Sequence, residues 1–288
     1  MGSDERRKLA AQPARRIWSR EEGDVTTFST ILYDCTDGIA RLTLNRPEKL
    51  NSFNVTMHAE VQKALDLLEA DKTARVLVIT GAGRGFCAGQ DLDDRAVKPD
   101  SPAVDLGESI ENYYNPLIRR ITALKMPVIC AVNGVAAGAG ANIALACDIV
   151  IASKAAKFVQ AFCKLGLVPD SGGTWSLPRA VGQTRALALA LLGTPIDAAT
   201  AEQWGMIWKA VEPEAFEAEV EGLARHFAAQ PTKGLAFIKQ AIRAAATNTL
   251  DEQLDLERDL QREAGRSADY REGVAAFLEK RAPNFTGA

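Results

Sequence analysis

Three short apolar runs, at residues 76–79, 128–132 and 149–152, constrain this chain more than any other feature of it. Each is continuous rather than alternating, so each needs cover on both faces, as a strand inside a parallel sheet does. The segments between them have helical spacing, and parallel strands need crossovers of that kind. Residues 28–33 and 39–44 form two further strand-like runs around Asp37-Gly38, a hairpin turn signal. Asn45-Arg46-Pro47 ends the second run, because proline cannot continue a ladder. Asn54 is placed to cap a helix reaching about residue 70, with Val55, Val61, Ala64, Leu65 and Leu68 at helical spacing. A polar stretch with Pro99, Pro102 and Gly107 reads as a mobile loop. Helices are expected near 108–122 and 141–146. The fold class is therefore α/β.

After about Asp170 the texture changes to helix, with candidates at 183–192, 198–204, 214–229, 232–246, 250–264 and 269–280. The organisation expected is a polar, disordered extension over residues 1–27, a core over 28–225 and a C-terminal helical region over 226–288. No repeat of solenoid length is present.

Composition removes several function classes. The net charge is -3 and no long basic stripe occurs, so nucleic acid is not an expected partner. No apolar run approaches the ~18 residues that span a bilayer, and the first residues lack the apolar centre of a secretory signal, so no membrane partner is expected. The five cysteines, Cys35, Cys87, Cys130, Cys147 and Cys163, form no CxxC pair and mostly sit in apolar runs. They read as reduced, buried thiols of a cytoplasmic protein.

Several chemistries lack their residues. The loop Gly81-Ala82-Gly83-Arg84-Gly85-Phe86 misses the third glycine of a dinucleotide fingerprint, and neither GxxxxGK[ST] nor GxSxG occurs. The two histidines, His58 and His226, lie far apart on amphipathic helices and read as surface or helix-packing residues. No HExxH spacing is present, so no metal is expected.

Three segments carry the chemistry that remains. They are Arg84-Gly85-Phe86-Cys87-Ala88-Gly89-Gln90-Asp91-Leu92, then Asn133-Gly134-Val135-Ala136-Ala137-Gly138-Ala139-Gly140-Ala141-Asn142, then Lys164-Leu165-Gly166-Leu167-Val168-Pro169-Asp170-Ser171-Gly172-Gly173-Thr174-Trp175. The first two follow buried strands, and their small residues let a ligand approach the backbone. The second opens an apolar helix, whose first N–H groups suit a developing negative charge. Either loop by itself serves equally well as a tight turn; the two together favour an oxyanion hole. Asp170 lies in an ordinary turn sequence and would serve as a helix N-cap. Its neighbours Phe158, Val159, Leu165, Leu167, Val168 and Trp175 would instead give it an apolar pocket and make it a base.

From residue 28 to 287 these segments, in order and spacing, resemble the crotonase superfamily of enoyl-CoA hydratases and isomerases. The resemblance implies a crotonase-like spiral of ββα turns with a C-terminal helical trimerisation region. It implies an acyl-CoA substrate and no separate cofactor, CoA being part of the substrate. It implies a homotrimer or a dimer of trimers. By position, the backbone donors to the thioester oxygen would be Gln90 and Ala139. Ala88, Gly89, Asp91 and Leu92 would contact CoA, and Gly138 and Asn142 would line the substrate site. The two glutamates of the hydratases fall at Asn142 and near Cys163, so both are missing. Asp170 stands where certain isomerases of the family keep their only acidic residue. The stretches 85–95, 114–117, 168–175, 204–208 and 248–258 are most similar to the branch that isomerises ring-epoxidised phenylacetyl-CoA to an oxepin.

The resemblance thus implies an isomerase with Asp170 as acid and base. Two alternatives stand beside it. One is a Δ3-Δ2-enoyl-CoA isomerase or weak hydratase of fatty-acid oxidation; the other is a non-catalytic acyl-CoA-binding scaffold.

Overall fold

The computed structural model describes residues 27–93 and 105–288. The expected extension at 1–27 lies outside the described residues except for Thr27, and so do Pro99 and Pro102.

The described chain opens with a hairpin. β1 (Ile31–Thr36) and β2 (Ile39–Leu44) pair antiparallel across Asp37 and Gly38, whose φ values of 53° and 77° suit a two-residue primed turn. The strand expected from residue 28 starts later because the Ser29 and Thr30 amides donate to the Glu60 carboxylate instead of to a ladder. α1 (Val55–Ala70) begins as the sequence predicts, with the Asn54 side chain accepting from the Met57 N–H at 2.8 Å. β3 (Val76–Gly81) and β4 (Gly85–Cys87) follow. Gly107, expected in a loop, lies in α2 (Leu106–Ser109), which Asp105 caps; a π-turn then leads into α3 (Asn115–Ala123).

Next come β5 (Val128–Val132), β6 (Val135–Ala137), α4 (Ala139–Ala146), β7 (Ile149–Ser153) and β8 (Lys157–Val159). A 3-10 turn at Ala161–Leu165 leads to α5 (Gly173–Val181) and α6 (Gln183–Leu192). β9 (Ile196–Asp197), α7 (Ala198–Gln203) and β10 (Lys209–Val211) complete the core strands. The last third is α8 (Phe216–Ala228), α9 (Thr232–Ala244), α10 (Leu250–Gly265) and α11 (Ala268–Glu279). Among the described residues no helix is long and apolar enough to cross a membrane.

The strands form two sheets, in the orders β1-β2-β3-β5-β7-β10 and β4-β6-β8-β9. All pairings are parallel except β1 with β2 and β8 with β9. The continuous apolar strands are covered on both sides, as expected. Leu77, Ile79, Cys130 and Val132 face α1, α3 and α4, while Val76, Val78, Ile129 and Ala131 face Phe216, Val220 and Ala224 of α8. α8 runs through the expected division at 225/226 and serves the core sheet.

α9 is fastened to this core by charge. Asp148, at the start of β7, takes the Lys239 ammonium and the Arg243 guanidinium, each at 2.8 Å, and also accepts from the Val128 N–H at 2.9 Å. Burial pushes the Lys239 pKa down, against the upward pull of Asp148. Removing the carboxylate would strand a buried cation, a loss of about 3–5 kcal/mol. Asp148→Ala is expected to lower the unfolding free energy from urea titration by that amount, with α9 the first segment to exchange amide hydrogens. A change under ~0.5 kcal/mol would mean that apolar contacts hold α9 without the ion pairs.

Candidate active site

β4 and β6 are parallel neighbours in the small sheet, so the loops that follow them leave the same edge. They meet backbone to backbone. Gly89 has φ +90°, and a Cβ there would lie 2.9 Å from the Ala137 carbonyl oxygen and 3.3 Å from the Ala139 nitrogen. Any side chain at 89 would therefore push the two loops apart.

The direction of the Gln90 amide follows from its neighbours. The Phe53 N–H donates to Gly89 O at 2.7 Å, and the Asp91 N–H donates to Phe53 O at 2.8 Å, a parallel bridge. The intervening N–H of Gln90 points away from Phe53, since adjacent peptide groups in an extended chain alternate. The buried Tyr114 hydroxyl donates to Gln90 Oε1 at 3.0 Å and steadies that side chain. On the facing loop Ala139 is the first residue of α4. Its N-cap, Gly138, has no side chain to offer, so the N–H of Ala139 is one of the helix's orphan donors.

The first loop is anchored from below. Asp91 is 6 % exposed and accepts from Arg46 at 2.8 Å, while Arg46 also donates to Ser52 O at 2.7 Å. Burial pushes the Asp91 carboxyl up, but the Arg46 bond, the Asp93 N–H and the Lys49 charge together hold it below its usual value. Asp91, expected to touch substrate, turns its carboxylate into the protein. Ala88 is half-buried and Leu92 exposed, so these two face outward from the loop. Cys87 lies beneath the same loop, and burial pushes its thiol up to about 12, so it stays neutral and unreactive.

Asp170 sits in a tight turn. The Gly173 N–H donates to Asp170 O at 2.9 Å, and the residues between have left-handed φ values, 52° at Ser171 and 74° at Gly172. A serine in that region stores local strain, which turns near functional groups tend to carry. The Ser171 hydroxyl donates to Asp170 Oδ1 at 2.9 Å and orients the carboxylate. The helix-capping alternative fails, because the N-cap of α5 is Gly172 and no side chain caps that helix. The turn is tied to α4 as well: the Asn142 amide donates to Asp170 O at 2.8 Å. Asn142 is fully buried, and its Oδ1 accepts from Gln160 Nε2 at 2.8 Å. Sequence reasoning missed Gln160, Arg46 and the role of Tyr114, because each acts through a partner far away in the chain.

The apolar pocket expected around Asp170 is only partly present. Phe158 is in the core, but Leu165, Leu167, Val168 and Trp175 are exposed. They lie on a surface turn and on the outer face of α5, where no other described residue covers them. A cleft of about 1030 Å³ opens between α3, α5 and α9, lined by Ile118, Trp175, Phe237 and Gln240 among others. It shares Gly172 and Ser176 with the segment after Asp170, yet neither Gln90, Ala139 nor Asp170 lines it. One further expectation needs adjustment: Cys35 and Cys163 are half-buried rather than buried. His58 is a helix-packing residue, one of the two roles expected, with its ring 5.0 and 4.5 Å from those of Tyr113 and Tyr114.

Known proteins resemble this chain in sequence and in fold. The enoyl-CoA hydratase/isomerase family profile matches residues 34–288. A protein of Escherichia coli named 1,2-epoxyphenylacetyl-CoA isomerase is 63% identical over 257 residues, which is 89% of this chain and 98% of that one. A trans-2-decenoyl-acyl-carrier-protein isomerase of Streptococcus mutans is 37% identical, over 90% of this chain and 99% of that one. A crystal structure of an enoyl-CoA hydratase/isomerase from Cupriavidus metallidurans superposes with a TM-score of 0.84 at 31% identity, covering 91% of this chain and 98% of the other. The α/β fold, the facing glycine loops and these likenesses along nearly the whole chain place the protein in the enoyl-CoA hydratase/isomerase family, the crotonase superfamily.

Proposed function

We propose that this chain is an acyl-CoA isomerase that converts ring-1,2-epoxyphenylacetyl-CoA to oxepin-CoA. The observation that carries the reading is the join between Asp170 and α4: Asn142, which holds the Asp170 turn, lies three residues after Ala139. One helix thus carries an orphan backbone donor and the support of an acid. The 63% identity to a protein named for this reaction supports the choice of substrate.

The substrate has a methylene between its thioester and a ring epoxide. With the thioester oxygen at the N–H groups of Gln90 and Ala139, the Asp170 carboxylate removes one methylene proton. The electron pair moves into the thioester and its charge collects on oxygen, where each backbone donor contributes ~3–4 kcal/mol. The carbon–carbon bond shared by the epoxide and the six-membered ring breaks while both carbon–oxygen bonds stay, giving the seven-membered ring; the returning pair leaves a double bond from the former methylene carbon to the ring, and the proton held by Asp170 goes to a ring carbon. No atom is gained or lost. Ala88, Gly89 and Leu92 line the approach of the CoA chain, and Gly138 allows the acyl group close to the backbone.

The same shuttle would move a double bond from the 3,4 to the 2,3 position of an acyl thioester. The 37% likeness to a trans-2-decenoyl-acyl-carrier-protein isomerase favours that as a second activity. Asp170→Asn is expected to cut kcat on the ring epoxide by about 10³-fold, with KM changed less than threefold. Wild-type turnover by a folded Asp170→Asn protein would sink the assignment. Turnover of 3-enoyl-CoA substrates measures the second activity, and its loss in the same variant is expected.

We also propose a homotrimer, or a dimer of trimers, built by the C-terminal helices. Large apolar side chains stand in water there, among them Ile242 at 69%, Phe277 at 83% and Leu278 at 74% exposure. Such exposure is costly unless another surface covers it. Light scattering on the purified protein is expected to give three or six chains, and Phe277→Asp to shift the mass downward. A wild-type mass of one chain would overturn this.

A further inference from the structure

We infer that Asn142 and Gln160 form a positioning relay that sets where Asp170 stands relative to the Ala139 amide, and that Asn142 is not a substrate contact. The inference rests on Asp170 being the proton carrier.

The end of the relay fixes its direction. The Asp170 carbonyl can only accept, so Asn142 must present its NH₂ group there, as the 2.8 Å contact has it. Asn142 Oδ1 is then left facing Gln160, which must present its own NH₂ group at 2.8 Å. Turning either amide over would set two oxygens against each other. Asn142 is thereby used at both ends inside the protein, and its 0% exposure keeps its remaining N–H and lone pair from a ligand.

The relay is also closed in. A Cβ at Gly173 would fall 2.2 to 2.6 Å from the three amide atoms of Asn142, so the start of α5 presses directly on this side chain. Gln160 is 4% exposed, and its Oε1 has no partner among the described residues. A buried acceptor in that state is unfavourable, so the residue's contribution is the bond from Nε2 to Asn142. Gln160 follows β8, the neighbour of β6 in the small sheet. The acid's turn is thus referenced through two amides to the sheet from which the Ala139 loop emerges. Asn142 and Ala139, three apart on α4, share a face of that helix.

The test compares Asn142→Ala, Gln160→Met, the double variant and Asp170→Asn, on ring-1,2-epoxyphenylacetyl-CoA and with melting curves for each. Small displacements of a reacting group cost up to about 100-fold in rate. Asn142→Ala is expected to lose about 100-fold in kcat and Gln160→Met about 10-fold, both with KM within twofold. Because Gln160 acts only through Asn142, the double variant is expected to match Asn142→Ala within about twofold. Gln160→Glu keeps the shape but removes the donor, and is expected to be at least as slow as Gln160→Met. Should Asn142→Ala fail to fold, the two Gln160 variants carry the test through the same split between kcat and KM. A rise in KM at constant kcat would make Asn142 a substrate contact and overturn the relay, and multiplicative losses in the double variant would do the same. If Asp170→Asn is inactive while Asn142→Ala keeps its kcat, the relay alone is wrong. If Asp170→Asn keeps its turnover, the acid's role and the relay fall together.

Discussion

A single buried helix, α4, is the constraint on which the rest of the site depends. Seven of its eight residues are buried, and none carries a charge. It lies in the main apolar core with Phe86, Tyr114, Leu117 and Phe158, so it has no freedom to shift without opening that core. Its first residue offers an orphan N–H and its fourth residue holds the Asp170 turn. The proposed donor and the proposed acid are therefore referenced to one rigid body rather than to two loops. Preorganised donors of this sort stabilise developing charge without reorganising during the reaction.

The second donor depends on a different interaction, the bridge of Phe53 to the loop around Gln90. That loop carries no long element of its own, since β4 has three residues. Its position comes from Arg46 and Asp91 beneath it, from the Ala88 N–H donating to Leu50 O at 2.9 Å, and from Asn51, whose amide donates to the carbonyls of Ala82 and Gly85. Polar bonds do here what apolar packing does for α4. The glycines that let the two loops touch also strip them of packing side chains, so hydrogen bonds must supply the rigidity.

The sequence reveals the large sheet up to β7, misses its last strand β10 in a region read as helical, and conceals the small sheet. β3, β5 and β7 announce themselves because both faces are buried, which makes each run apolar throughout. Asn54, with a helix after it, states where α1 begins. β4, β6, β8 and β9 have three residues or fewer, too few to show the strand alternation against chance, and the first two contain or adjoin glycine. The candidate site was legible as three segments of residue types, because small residues and a carboxylate are chemical signals. Its wiring was not. Asn142 finds its partners 28 and 18 residues away, and Arg46 finds Asp91 45 residues away. Nothing local distinguishes a buried Asp91 from an exposed one. The same holds for Leu165, Leu167 and Val168, apolar residues that the described part of the chain leaves exposed.

The residues at positions 142 and 163 bear on which reaction such a site favours. The resemblance to the hydratases implies glutamates at 142 and near 163 in those enzymes, and a pair of carboxylates can activate water and deliver a proton. Here 142 is an amide whose two ends are already engaged, and 163 is a half-buried thiol. An engaged amide neither takes a proton from water nor gives one to carbon. It does something a carboxylate cannot, which is to donate to the Asp170 carbonyl. Replacing the glutamate by asparagine therefore removes a water-activating group and adds a support for a different acid in the same step. In the proposed mechanism the absent carboxylate and the support of Asp170 meet in one side chain, the fourth residue of α4. Moving a proton between two carbons of one substrate is the reaction that such a change leaves available.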